Sequence, residues 1–149
     1  MKAEYLEPRD GNTYSFIPEN VLTKAEVELY GQNYWLLPNN KSGHIEFDLG
    51  CPKNINTIEF VNTHNGAKRN RGTKAFTVDV RNSLDGQWTE VMNKTSLVDP
   101  SILPDSLLSG RHNFKSVTAR YVRFNILSFY GKGGGLQYLD YSLKGKTLF

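Results

Sequence analysis

The sequence predicts an all-β domain, an antiparallel β-sandwich or jelly roll of about eight short strands. Three observations predict it. Apolar and polar residues alternate with period two in segment after segment, the mark of a half-buried antiparallel strand. Turn signals built from Gly, Pro, Asn and Asp separate those segments at short intervals. No segment reads as a long helix, and no internal repeat or low-complexity tract interrupts the pattern.

Residues 1–12 are polar and aperiodic and read as an arm lying along the domain. Pro18, Glu19 and Asn20 then mark a turn, and AEVELY (25–30) fits either a helical turn or a short strand. Residues 33–37 read as strand, ended by the loop PNNKSG. From Gly43, Ile45, Phe47 and Leu49 alternate with His44, Glu46 and Asp48, and Gly50-Cys51-Pro52 is expected to close that strand. The stretch 54–81 follows, and it is the part around which the rest is organised. Ile58 and Phe60 oppose Glu59 and Val61; after the insert HNGAKRNRG, Phe76, Val78 and Val80 oppose Thr77, Asp79 and Arg81. Asp85-Gly86 predicts a tight hairpin turn with positive φ, returning through a strand over 87–96. Residues 97–111 read as a long connection of low order, with a short helix possible over 104–108 and brief pairing at 112–114. Residues 119–127 read as strand, with Val122, Phe124 and Ile126 opposed to Tyr121, Arg123 and Asn125. The loop SFYGKGGG interrupts, and 136–143 closes the sheet with Leu139, Tyr141 and Leu143 on one face. The expected core is Ile45, Phe47, Ile58, Phe60, Phe76, Val78, Val122, Phe124 and Ile126, with Trp35 and Trp88 in or near it.

A chain of 149 residues, 38% hydrophobic and 12% aromatic, suits one globular domain with a sizeable core. The net charge of +3 is too small to argue for nucleic acid, but Lys68, Arg69, Arg71 and Lys74 concentrate it locally. The lone Cys51 excludes an internal disulfide and a thiolate metal cluster, and its place beside Pro52 predicts a small, partly buried residue. No window has the apolar length of a membrane span, and MKAEYLEPRD lacks a signal-peptide core. Either the protein is cytosolic, or this is one domain (1–149) excised from a larger secreted or surface protein; the second reading is preferred.

Catalysis finds little support. His44, His64 and His112 show no metal-ligand spacing, and no nucleophile sits in a recognisable elbow. The run 131–135 (GKGGG) resembles a phosphate loop, but a strand rather than a helix follows it. Recognition fits better. Sugars are held by planar donors and acceptors on their hydroxyls and by an aromatic face on their C–H patch. His64, Asn65, Arg69, Asn70 and Arg71 offer the donors, and the guanidinium forks can each grip two adjacent oxygens. Phe129 and Tyr130, just before the glycine run, offer the aromatic face, with glycines that let a ligand approach closely. Lys68 and Lys74 add weight to acidic or sulfated sugars. An alternative is peripheral attachment to anionic phospholipid, with Leu36, Leu37, Phe129 and Tyr130 inserting while Lys68, Arg69, Arg71 and Lys132 meet headgroups. Protein–protein adhesion through the same loops is a third.

Three segments in order carry a family resemblance: Tyr34-Trp35 followed by HIEFDLGCPKNINTIEF, then KAFTVDVRNSLDGQWTEV, then ARYVRFNILSF with GLQYLDYSL. Together they resemble the discoidin family, the coagulation factor type C domains and the related family 32 carbohydrate-binding modules, over roughly residues 13–145. The resemblance implies a galactose-binding-like β-sandwich that displays recognition loops at one end, with the 64–71 and 129–135 loops as neighbours. It implies a lectin-like, extracellular or cell-surface module for adhesion or targeting, monomeric as a domain, with glycan rather than nucleic acid as partner. The sequons Asn40-Lys41-Ser42 and Asn93-Lys94-Thr95 accord with that setting. Departures are visible. Leu36 stands where sugar-binding relatives often carry a histidine, and the usual Asp-Gly of the calcium loop is missing before Trp35. Asp140 falls where the family places a carboxylate ligand, so a structural calcium would draw on Asp140 with carbonyls near Asn20 and Thr23.

Overall fold

The computed structural model describes residues 6, 21, 35–65, 68–104, 107–140 and 147–148, the last four of 107–140 and both of 147–148 through their backbone. Among the described residues seven strands are present: β1 (Trp35–Leu36), β2 (Gly43–Asn62), β3 (Arg71–Arg81), β4 (Thr89–Ser96), β5 (Ser109–Gly131), β6 (Gly135–Asp140) and β7 (Thr147–Leu148). All pair antiparallel along the path β1-β6-β2-β5-β3-β4, with β7 on β2. The expected all-β antiparallel class is what forms.

Two of the expected boundaries do not. Gly50-Cys51-Pro52 does not end its strand. The ladder jumps from Asp48↔Tyr121 to Lys53↔Ala119, so residues 49–52 bulge opposite residue 120 alone. Gly50 takes φ 88° and donates its N–H to Asp48 Oδ1 at 2.8 Å, and Pro52, which has no N–H, sits where no ladder bond is required. A second shift, between Ile55↔Val117 and Thr57↔Asn113, bends the pair again. The expected strands therefore merge into β2, and the expected pairing at 112–114 merges with 119–127 into the 23-residue β5.

These bends fold the ladder into two layers. One half of β2 and β5 lies with β3 and β4, and the other half with β6 and β1. Phe60 shows the closure: it is not on a strand next to Phe76, yet their rings meet edge-on at 5.2 Å. Phe60 also meets Phe124 at 5.5 Å, and Phe76 stacks on Phe124 at 4.9 Å. Such offset and edge contacts are the favoured aromatic geometries. All nine expected core residues are at most 2% exposed, and Trp35 is fully buried beside them.

The outward face of the β2–β5–β3 layer is polar and internally paired. Arg120 grips Asp48 through Nε and Nη2 at 2.9 and 3.1 Å, and Arg123 holds Asp79 at 2.7 Å. Arg81 and Arg123 lie over the half-buried Trp88 ring at 4.2 and 4.5 Å from its centroid.

Other expectations change in detail. Cys51 is exposed rather than partly buried, because the bulge carries it outward. The β3–β4 connection spans 82–88 and is closed by Gly86 N–H to Ser83 O at 3.1 Å; neither Asp85 nor Gly86 takes positive φ. In the 97–108 connection, a short 3-10 turn forms at Pro100–Ile102, capped by Asp99, and at the expected 104–108 Leu107 N–H bonds Pro104 O at 3.0 Å. Within 104–108, Leu107 alone is described in a 3-10 conformation. The readings of 1–5, 7–20, 22–34 and 141–146 fall outside the described residues.

Candidate functional site

Three connections meet at one end of the sandwich. They are 37–42 between β1 and β2, 63–70 between β2 and β3, and 132–134 between β5 and β6. Backbone bonds lace them together: Leu37 N–H to Gly134 O (3.0 Å), Asn40 N–H to Lys132 O (2.9 Å), Lys132 N–H to Asn70 O (2.8 Å) and Gly72 N–H to Gly133 O (2.9 Å). The donor-rich insert and the aromatic–glycine segment are thus direct neighbours, with Arg71 opposite Gly131 and Gly72 opposite Tyr130 in the ladder.

Asn62 anchors the crossing between layers. Its amide donates to Thr73 O at 3.0 Å and its carbonyl oxygen accepts from Thr73 N–H (3.0 Å) and Thr63 N–H (2.9 Å), so one side chain imitates a strand pair. Thr73 in turn donates to Gly135 O at 2.7 Å.

Arg71 is the centre of the cluster. Its guanidinium donates to Leu37 O at 3.0 Å and to Asn39 Oδ1, and the residue is 4% exposed. Burial pulls its pKa down from the usual arginine value, yet arginine stays protonated. Two glycines make room. A Cβ at Gly133 would lie 2.5 Å from Arg71 Nη1, and at Gly131 (φ 66°) it would overlap the Asn70 carbonyl. In the structure these glycines close the protein on itself, where the sequence suggested close approach of a ligand.

The seven expected binding residues divide accordingly. His64 and Asn65 are 1% and 8% exposed, and Asn65 donates its amide to Asn70 Oδ1 at 2.8 Å. Arg71 is committed inward, which corrects the expectation that its fork faces a ligand. Arg69 is exposed and donates through Nη1 to Ser101 O and Leu103 O at 3.2 and 3.0 Å. Asn70 is half-buried at the edge. Phe129 is half-buried; so is Tyr130, whose hydroxyl donates to Leu97 O at 2.8 Å and whose ring has Lys74 Nζ 5.4 Å from its centroid. Leu36 and Leu37 are fully buried, so they cannot be the lipid-inserting residues of the membrane alternative.

Of what this end offers outward, sequence reading named Lys68, Arg69 and Lys132 but missed Asn39, Asn40 and Lys41 as site residues. Asn39, Asn40, Lys41, Lys68, Arg69 and Lys132 are exposed, and the segments 37–42, 63–71 and 129–134 contain no carboxylate. The sequence signal for this surface is the Asn39-Asn40 pair, since asparagine tolerates the positive φ of 60° that Asn40 adopts. Of the expected calcium set, Asn20 and Thr23 lie outside the described residues, as does the Asp140 side chain. Among the described residues no group of three or more His, Cys, Asp or Glu gathers to hold a metal ion.

Comparison with known proteins follows the same lines. Structural likeness is found to chitosan-binding module 1 of a Paenibacillus sp. IK-5 chitosanase/glucanase, at 18% identity and TM-score 0.63, covering 93% of this chain and 89% of that one. A pectin-binding carbohydrate-binding module matches at 14% identity and TM-score 0.62, covering 97% and 89%. A Ruminococcus gnavus GH29 fucosidase matches at 18% identity and TM-score 0.60, covering 83% of this chain but 21% of that one, so this chain spans about a fifth of the enzyme's length. At such identities the likeness is one of fold, a β-sandwich shared with carbohydrate-binding modules. No curated protein matches closely enough to count as a relative. The family model for the F5/8 type C domain matches residues 10–139, and the chain belongs to that family.

Proposed function

We propose that this domain is a non-catalytic carbohydrate-binding module that reads glycan with the end of the sandwich built from 37–42, 63–71 and 129–134. The observation that carries the reading is the convergence of three connections into one rigid surface of exposed amides and cations without a carboxylate. Family membership and the fold shared with chitosan- and pectin-binding modules support it.

Within that reading, Arg69 and Asn70, with Asn39, Asn40, Lys68 and Lys132 beside them, meet the sugar. Phe129 and Tyr130 give the flanking aromatic surface, and His64, Asn65 and Arg71 hold it in shape. The exposed Arg69 guanidinium, whose bonds to Ser101 O and Leu103 O use Nη1 alone, and the Lys68 and Lys132 ammonium groups favour saccharides bearing carboxylate or sulfate. The module would serve adhesion or targeting as part of a larger extracellular or cell-surface protein, acting as a monomer; the exposed sequon residues Asn40 and Asn93 are compatible with that setting. A structural calcium near Asp140 belongs to the same proposal and rests on family resemblance.

The test is a glycan array followed by calorimetry on the best ligand, with Lys132→Ala and Asn70→Ala. Selective binding of acidic glycans, weakened by both variants with unchanged melting, supports the proposal. Absence of any array ligand, or variants that bind as the parent does, sinks it. The membrane alternative retains one favourable observation: Val98, Ile102 and Leu107 are exposed apolar residues on the connection that Arg69 grips. Sedimentation with phosphatidylserine vesicles at rising salt tests it, since attachment through exposed charges should fade as the Debye length shortens to about 8 Å.

A further inference from the structure

Arg69 bonds Ser101 O and Leu103 O, and on the described residues of the 97–108 connection an apolar cavity of about 240 Å3 opens against β2 and β5. Its floor is the pair Phe60 and His112, stacked with centroids 5.3 Å apart and planes 6° from parallel. Leu97, Pro100, Leu103 and Leu108 form its walls. At the mouth, Val98 and Leu107 are 62% and 60% exposed; with Ile102 between them in sequence, they are three of the five large apolar side chains left exposed among the described residues. Apolar residues left open around a concave apolar site mark a place where something binds.

His112 supplies the one titratable group in the lining. Its ring nitrogens hold no hydrogen bond among the described residues, and burial lowers its pKa, so it is neutral near pH 7 with one donor and one acceptor nitrogen.

The geometry points to a binding site for a single hydroxylated aromatic ring, a phenol in its simplest form, seated against the Phe60–His112 pair with its hydroxyl on His112. Size supports this occupant. A dry cavity of about 150 Å3 holds one benzene ring, so the volume here admits a ring with a substituent. A sugar ring is a poor fit, because most of its hydroxyls would face leucine and proline without partners. A plain alkyl chain would leave His112 unpaired and gain nothing from the ring faces. The site lies beyond the glycan surface and does not depend on it.

The probe is phenol alone, titrated into isotope-labelled protein and followed by NMR, with toluene as the control lacking the hydroxyl. Saturable shifts at Phe60, His112 and Leu103 are expected, with phenol preferred over toluene by about fivefold or more, as one neutral hydrogen bond allows. His112→Phe keeps a ring on Phe60 and should erase that preference while still binding both compounds. Leu103→Trp should fill the cavity and abolish binding of both. No saturation by about 20 mM phenol, weaker than any useful site, would overturn the assignment. So would an undiminished phenol preference in His112→Phe, or phenol binding by a folded Leu103→Trp. Because no sugar is present, failure here leaves the glycan reading standing, and failure of the array leaves this site standing.

Discussion

Arg71→Ala separates a residue that holds the recognition surface from one that touches ligand. In the structure the guanidinium joins three connections: it bonds Leu37 O and Asn39 Oδ1 and packs beneath Gly133. Alanine removes both bonds and leaves the Leu37 carbonyl without its charged donor. A hydrogen bond to a charged group contributes about 1.5–3 kcal/mol. Against that, removing the side chain relieves the desolvation that already lowers the Arg71 pKa. The net loss should be about 2–4 kcal/mol, in the range for breaking a buried polar network. At roughly 3–4 °C per kcal/mol for a domain of this length, the melting point should fall by about 6–16 °C. Arg71→Lys keeps the charge but reaches one acceptor at a time, so its loss should be intermediate. Urea unfolding at equilibrium gives the free energy, and calorimetric titration on folded protein gives glycan affinity. If Arg71→Ala melts within about 1 °C of the parent while losing glycan binding, the guanidinium faces ligand and the scaffold assignment is wrong.

Phe124→Ala or Phe76→Ala removes a ring from the three-phenylalanine cluster and should cost about 3–5 kcal/mol in urea unfolding. Gly131→Ala forces a side chain into positive φ and onto the Asn70 carbonyl, so it should lower the melting point clearly more than Gly50→Ala, whose added Cβ meets nothing within 4 Å at a similarly positive φ. The hydrogen bond from Arg120, set partly against desolvation, holds the Asp48 carboxyl below its ordinary value of 3.8. The unfolded chain therefore takes up that proton first as pH falls. The pair's contribution is complete above that ordinary value and fades below it through the folded value, so Asp48→Asn should flatten the acid limb of a stability–pH curve. His112 runs the same way at higher pH. Burial lowers it from 6.5, so the unfolded state binds protons more readily and stability should decline as pH drops below that value. His112→Phe should remove that slope, and an unchanged slope would count against the buried placement.

The alternation along the chain determined the strand class and the inward face, because a strand's side chains leave no freedom except which face is apolar. Ile45, Phe47, Ile58, Phe60, Phe76, Val78, Val122, Phe124 and Ile126 were legible for that reason, and so was the basic insert as a connection rather than a strand. Tertiary structure decided where the polar residues turn. Arg69, Arg71, Asn65 and Asn70 have the same chemistry whether they meet a sugar or the protein's own carbonyls, and only the approach of 37–39 and 131–134 commits Arg71 inward. It also decided that Gly50-Cys51-Pro52 is a bulge, since a turn signal and a bulge signal use the same residues and the partner strand chooses between them. Leu36 and Leu37 read as candidate inserting residues until the fold covers them: Leu36 pairs with β6 and packs against Leu6, which donates its N–H to Leu36 O at 2.7 Å, and Leu37 joins the main core beside Gly43 and Gly134. The cavity along 97–108 was invisible in sequence for a similar reason. Its floor comes from β2 and β5 and its walls from an aperiodic connection, and no local pattern records a space enclosed by residues so far apart in the chain.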